Sequence, residues 1–315
     1  MAKVVAALAS SHAPLMARAW ESVGPERLDS IKKTFAEMGR RLMDARPDVL
    51  VVISPDHWVN FFINNLPSVC ICVGETHDGP PEPWMKDVPY KSFPGHPRLG
   101  LHLAEQAFKQ GFEPSLSYHL QIDHGIAIPL WRMGIPPTPT IVPIIVNTVE
   151  PPLLTVRRSA EWGRFIRRAI ESYPEDLRVA IMATGGLSHS IGEPEMGAIY
   201  EKFDHECLEI MRSGGVEPLV EFLERNIESA GNGAAEIRNW VVAHSAMNGR
   251  GFDLSGYHPY PVWYVGNGFA TWSVSAAGPG GEPRSEAHRG QLDVRPEQGE
   301  QLGPHEFPVR HTRLG

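Results

Sequence analysis

The chain has 315 residues, 42% of them hydrophobic and 21% charged, a balance that excludes wholesale disorder and gives room for a sizeable buried core. Lys and Arg number 29 against 37 Asp and Glu, a formal net charge of −8, which argues against a nucleic-acid or anionic-membrane binder that would need a basic face. No apolar run reaches the roughly 18 residues that span a bilayer.

Residues 4–9 are apolar and β-branched at their start, and they read as a buried first strand. Ser10, Ser11 and His12 break that run, so the N-terminus reads as strand and turn, not as an export signal. Residues 25–45 carry Leu28, Ile31, Phe35, Met38 and Leu42 at helical spacing, with Pro25 suited to a first turn. Residues 48–54 are almost uniformly apolar, as a strand covered on both faces must be. Further strands are expected at 67–74 and 140–147, and a helix at 98–111 closed by Gly111. The second half repeats the theme: a helix at 155–172, a buried strand at 178–184 running into Gly185-Gly186, and helices near 195–212, 216–229 and 234–248. An aromatic-rich stretch at 261–274 is expected to return to the sheet.

Alternating strands and amphipathic helices predict an α/β fold: one large domain over residues 1–275 with a central mixed, largely parallel sheet flanked by helices. From residue 276 to 315 the chain is dense in Gly, Pro, Glu and Arg. It is expected to be an extended C-terminal tail, mobile or packed on a neighbouring subunit. Cys70, Cys72 and Cys207 cannot build a disulfide framework, so a reduced cytoplasmic setting is expected. Cys70 and Cys72 share one face of a strand and read as core packing.

Histidine stands out, with 14 in the chain. His12, His57 and His189 each follow the carboxyl end of a predicted strand, where sites form in open α/β sheets. Each lies in turn chemistry: Ser-Ser-His-Ala-Pro, Ser-Pro-Asp-His and Gly-Gly-Leu-Ser-His. One such histidine reads first as an ordinary hydrogen-bonded residue; three at equivalent positions point to a site. In Gln-Ile-Asp-His-Gly, His124 follows Asp123, which either fixes an imidazole tautomer or caps the next segment. Two histidines and a carboxylate make the facial triad of non-haem Fe(II), with positions open for substrate and O2. Glu236 is the best carboxylate, although an acid in a first helical turn is equally favoured by the helix dipole.

Together these segments resemble the class III extradiol ring-cleavage dioxygenases, most closely the protocatechuate 4,5-dioxygenase β-subunit group. The matching stretches are SSHAPL at 10–15, SPDHW at 54–58, QIDHG at 121–125 and GGLSH at 185–189. GETHDGP at 74–80, YPEDL at 173–177 and AAEIRNW at 234–240 match more loosely, and the likeness covers residues 3–275. The resemblance implies that His12, His57 and Glu236 hold Fe(II). It makes His189 the catalytic acid/base, with His124 a second catalytic histidine near substrate and O2. It also implies opening of a catecholic ring by O2 to a muconic semialdehyde-type product.

A carboxylated catechol is the expected substrate: protocatechuate, gallate, methylgallate or a related lignin-derived compound. A 2-aminophenol, a zinc-dependent enzyme on the same scaffold and a non-enzymatic binding member are the alternatives. Asp123, Tyr257, His258 and Tyr260 are candidate substrate contacts, with core packing the competing reading of the aromatics. No Arg or Lys is assignable as a carboxylate clamp. The small subunit that helps close the pocket in the protocatechuate group has no counterpart in the sequence. Either the pocket is more open, a separate small subunit exists, or the C-terminal tail covers it in an oligomer; a homo-oligomer is the expected state, and neither nucleic acid nor membrane is an expected partner.

Overall fold

The computed structural model describes residues 1–135 and 139–274. The tail expected at 276–315 lies outside the described residues. In chain order the elements are β1 (Lys3–Ser10), α1 (Leu15–Arg18), α2 (Pro25–Asp44), β2 (Val49–Ser54), β3 (Val69–Cys72), β4 (Thr76–Gly79), β5 (Lys91–Pro94), α3 (Pro97–Lys109), β6 (Ser115–Ser117) and α4 (His124–Arg132). They continue with β7 (Ile141–Val146), α5 (Val156–Glu171), β8 (Arg178–Thr184), α6 (Glu201–Ser213), α7 (Glu217–Asn226), α8 (Ile237–Ala246), β9 (Phe252–Tyr260) and β10 (Val265–Ser273).

Eight strands form one sheet in the order β6-β3-β7-β2-β8-β1-β10-β9, and β4 pairs with β5 separately. Its centre, β7-β2-β8-β1, is parallel, while β3 and β10 join that centre antiparallel. The expected mixed, largely parallel α/β sheet is therefore the observed one.

Period-two alternation splits the core into two layers. Val49, Val51, Ile53, Val179, Ile181 and Ala183 face the layer that holds α3, α5 and α8. Leu50, Val52, Ala180 and Met182 face the layer that holds α2 and α4. Helix α2 buries Leu28, Ile31, Phe35, Met38 and Leu42, the stripe its spacing predicts. Cys70 and Cys72 are buried in that second layer, as core.

Three boundaries differ from expectation for local reasons. Helix α6 starts at Glu201, not near 195, because Gly192 and Gly197 take positive φ (70° and 97°) and turn the chain before it. His124 is not in a loop: it is the first residue of α4, with Asp123 as N-cap accepting from Gly125 N. Strand β9 went unpredicted because Gly256 and Pro259 interrupt its pattern, which an edge strand tolerates. Among the described residues no helix is long and apolar enough to cross a membrane.

The parallel strands β1, β2 and β8 all end at the same edge of the sheet. Their last residues, Ser10, Ser54 and Thr184, are fully buried, and Thr184 Oγ1 donates to Ser54 Oγ at 2.8 Å. The loops that leave this edge build the site.

Candidate active site

The loop after β1 carries His12, the loop after β2 carries His57, and the start of α4 carries His124. The loop after β8 carries His189, and the junction before α8 carries Glu236. Four of these side chains are nearly inaccessible, and His57 is half-buried. Outside secondary structure, such placement requires local support. Asp56 accepts from the backbone N–H groups of Val59, Asn60 and Phe61, which folds the turn holding His57. Asn60 then donates to Gln121 O and accepts from Gln121 N, so the His57 and His124 loops are joined. Asn239 donates to Thr184 O and Trp240 to Gly185 O, each at 2.9 Å, which ties α8 to the end of β8.

At the centre, His12 Nε2 and His57 Nε2 are 3.2 Å apart. Glu236 Oε1 lies 3.6 Å from His12 Nε2 and 3.3 Å from His57 Nε2. His57 Nδ1 faces Asp123 Oδ2 at 2.9 Å, and the same oxygen accepts from His57 N. Asp123 thus holds the Nδ1–H tautomer and leaves the Nε2 lone pair facing the Glu236 carboxylate, so a cation must lie between them. Without a metal that cation is a proton. Burial opposes charge on His57, yet Asp123 and then Glu236 outweigh it and lift the imidazole to about 10. Burial likewise favours the acid form of Glu236, but the surrounding His12, His57 and His189 hold its carboxyl well below the usual range.

This donor set fits a divalent metal. Donors at adjacent positions around an ion, each roughly 2.1 Å from it, stand about 3 Å apart, close to the triangle seen here. Two imidazoles and one carboxylate suit non-haem iron and leave positions open. His12, His57 and His124 also place ligand atoms within 4.8 Å of one another. His124 has a different engagement, however. Its Nδ1 is 2.6 Å from Glu82 Oε1, which also accepts from His124 N.

Two more imidazoles flank the triangle. His189 Nδ1 donates to Leu187 O at 3.0 Å, so its Nε2 carries the lone pair and stands 3.9 Å from Glu236 Oε2. Burial lowers the pKa of His189 and keeps the ring neutral. Burial, and after it the His57 charge, push His124 down to about 4. The His189 loop is anchored from behind by Asp204, which accepts from Ser188 N and Oγ and from Tyr257 OH. Two glycines are required for contact. A Cβ on Gly185 would stand 2.7 Å from Glu236 Oε2, and one on Gly233 would stand 2.2 Å from His189 Nε2.

The structure therefore brings His12, His57, His124, His189 and Glu236 together. Of the expected substrate contacts it brings Asp123 to the same group, against His57. Tyr257 donates to Asp204, His258 bonds Thr34 Oγ1 and Tyr260 OH, and Tyr260 donates to Arg27 O, so all three have their polar atoms engaged inside the fold. Asp123 is buried, with one oxygen on His57 and the other on Gly125 N. It orients His57 and caps a helix. Asp123→Asn should accordingly weaken retention of a metal, by about 10- to 100-fold in a chelator competition.

Sequence reasoning missed Glu82 and Trp84. Glu82 fixes the His124 tautomer, and the Trp84 ring centroid is 5.1 Å from that of His124. Both lie in a Pro-rich loop with no periodic pattern to single them out.

Residues 6–269 match the family described as the catalytic LigB subunit of aromatic ring-opening dioxygenase. The 2,3-dihydroxyphenylpropionate/2,3-dihydroxicinnamic acid 1,2-dioxygenase 2 of Dechloromonas aromatica is 26% identical over 325 residues, covering 85% of this chain and 97% of the relative. The 2,3-dihydroxyphenylpropionate/2,3-dihydroxicinnamic acid 1,2-dioxygenases of Photorhabdus laumondii (25%, covering 82% and 94%) and Cupriavidus necator (26%, covering 85% and 97%) are similar in the same way. These relatives are named for a dihydroxyphenylpropionate, not for protocatechuate or gallate. A crystal structure of an uncharacterized protein from Escherichia coli K12 shares the fold, with a TM-score of 0.56 at 18% identity, covering 85% of this chain and all of that one.

Proposed function

Because the chain belongs to the LigB family of catalytic subunits of aromatic ring-opening dioxygenases, and is an extradiol dioxygenase acting on catechol compounds, we propose that it uses Fe(II) and opens a catechol whose side chain ends in a carboxylate. The observation that carries the metal assignment is the triangle of His12 Nε2, His57 Nε2 and Glu236 Oε1, with edges of 3.2 to 3.6 Å. The side-chain carboxylate follows the names of the relatives, which displace the ring carboxylates of protocatechuate and gallate as the first substrates to try.

His12, His57 and Glu236 would hold the iron. When bound, Fe(II) supplies Lewis acidity and a template for the two catechol oxygens and O2. The protein's own groups handle the protons. His189, neutral and with Nε2 bare, accepts a phenolic proton as substrate binds and returns it as the ring opens. Leu187 O holds the donor nitrogen away from the site, so the ring presents its basic atom. His124, kept neutral by burial and oriented by Glu82, presents Nε2 from the side of His57, with ring centroids 4.0 Å apart. Buried rings on both flanks exclude water from the proton-transfer step.

The test is anaerobic reconstitution with Fe(II), followed by a panel of catechols and 2-aminophenols with O2 uptake and visible absorbance recorded. Uptake matched to a coloured ring-opened product is expected for catechols with an acidic side chain. Stoichiometric iron with no uptake on any compound would overturn the reading.

A further inference from the structure

We propose that Arg18 and Lys86 form the subsite for the anionic side chain of the substrate, in the cleft that Trp84 opens beside His124. This rests on the catechol dioxygenase reading above and adds where the non-reacting end of the substrate goes. The cleft has a volume of about 510 Å³ and is lined by Arg18, Pro83, Trp84, Lys86 and Asp87. The segments that bring the site histidines together also bring its cations. Helix α1 begins three residues after His12 and ends on Arg18. The loop that supplies Glu82 and Trp84 to His124 continues directly to Lys86. Helix α4 starts on His124 and ends on Arg132, eight residues on and about 12 Å along its axis.

Arg132 is structural: its guanidinium lies over Trp20 and Trp131, 3.7 and 3.8 Å from their centroids, and donates to Met16 O. Burial lowers its pKa to about 10, and Asp87 supports its charge. Asp87 therefore has a cationic neighbour of its own. Arg18 and Lys86 are exposed, and neither pairs with a carboxylate among the described residues. In a chain of net charge −8, two free cations at the mouth of a metal site form a local positive field for an anion.

The other groove beside the site cannot take this role. It has the same volume of about 510 Å³ and carries Glu193, Glu195 and Glu228. Among the described residues its one cation, Arg238, is engaged with Leu154 O and Ala235 O. An anionic tail is repelled there and attracted beside Trp84. Trp84 lines the cleft, and its ring centroid stands 5.1 Å from that of His124. The group this subsite takes is a carboxylate on a spacer of a few carbons, not one attached directly to the ring.

The experiment compares 3-(2,3-dihydroxyphenyl)propionate with 3-propylcatechol, which keeps the ring and chain length but lacks the carboxylate. Both are measured on the iron-loaded wild type and on Arg18→Gln, Lys86→Gln and the double variant. Anaerobic binding is read by tryptophan fluorescence and turnover by O2 uptake. Wild type should prefer the acid by about tenfold or more, as a charge-assisted hydrogen bond provides. The double variant should lose that preference through Kd and KM, with kcat held and propylcatechol unaffected. Equal binding of the two compounds by wild type, or an equal loss for both in the variants, would overturn the subsite while leaving the dioxygenase reading intact. Tight, Arg18- and Lys86-dependent binding of the acid without O2 uptake would do the reverse.

Discussion

Glu236→Ala should abolish iron retention. After anaerobic loading and gel filtration, its iron content should fall far below that of wild type, which should hold about one ion per chain. The loss should exceed the roughly 100-fold that removal of an outer partner costs. Glu236 is the only carboxylate in the triangle, and its two oxygens have distinct tasks. Oε1 faces His12 and His57, while Oε2 accepts from Gly186 N at 2.8 Å and fixes the plane of the group. Alanine leaves two neutral imidazoles and no anion in the triangle itself to balance a divalent ion in a buried pocket. His12→Ala should behave alike, since it removes one corner of the triangle.

The decisive comparison is His124→Phe. His124 completes a three-histidine group with His12 and His57, and a metal held by that group would be lost in this variant. The engagement of His124 with Glu82 predicts that it keeps its iron. Iron retained by Glu236→Ala and lost by His124→Phe would transfer the metal to the three histidines.

The site histidines were legible in the sequence because each follows a strand whose identity is itself legible. The runs ending at Ser10, Ser54 and Thr184 are apolar throughout, as parallel strands covered on both faces require, and their carboxyl ends meet at one edge. In the sequence, Glu236 is balanced between ligand and helix-dipole readings. The 3-10 turn at Asn232–Glu236 precedes α8 and carries the side chain under Gly186. Both readings of Asp123 hold at once, one oxygen capping α4 and the other orienting His57, not the adjacent His124 as its sequence position suggested.

What the sequence could not show is long-range and aperiodic. Asn60 joins two loops 61 residues apart in the chain. Glu82 reaches His124 across 42 residues from a loop with no pattern. The aromatics at 257–260 are held by Asp204, Thr34 and Arg27 O, contacts that only tertiary structure creates.

His189→Phe should keep iron at the wild-type level and lose about 10²- to 10⁴-fold in kcat, the range a positioned acid/base contributes. Phenylalanine fills the same buried place, so packing is preserved while Nε2 is removed. The substrate still binds through its oxygens and its side chain, so KM should change little and the loss should fall on kcat. Gly233→Ala tests the same role without touching the imidazole. Its methyl would stand 2.2 Å from both Nε2 and Cδ2 of His189, and the backbone around it is tied down by the Gly233 N to His189 O bond at 3.1 Å. The ring must therefore shift from its place, and kcat should fall although every titratable side chain is still present. Iron content separates this outcome from damage to the metal site, because Glu236 is held independently by Gly186 N. Near-wild-type turnover by His189→Phe, or loss of its iron, would remove His189 from the proton-transfer role and leave His124, among the described residues, as the imidazole placed to take it.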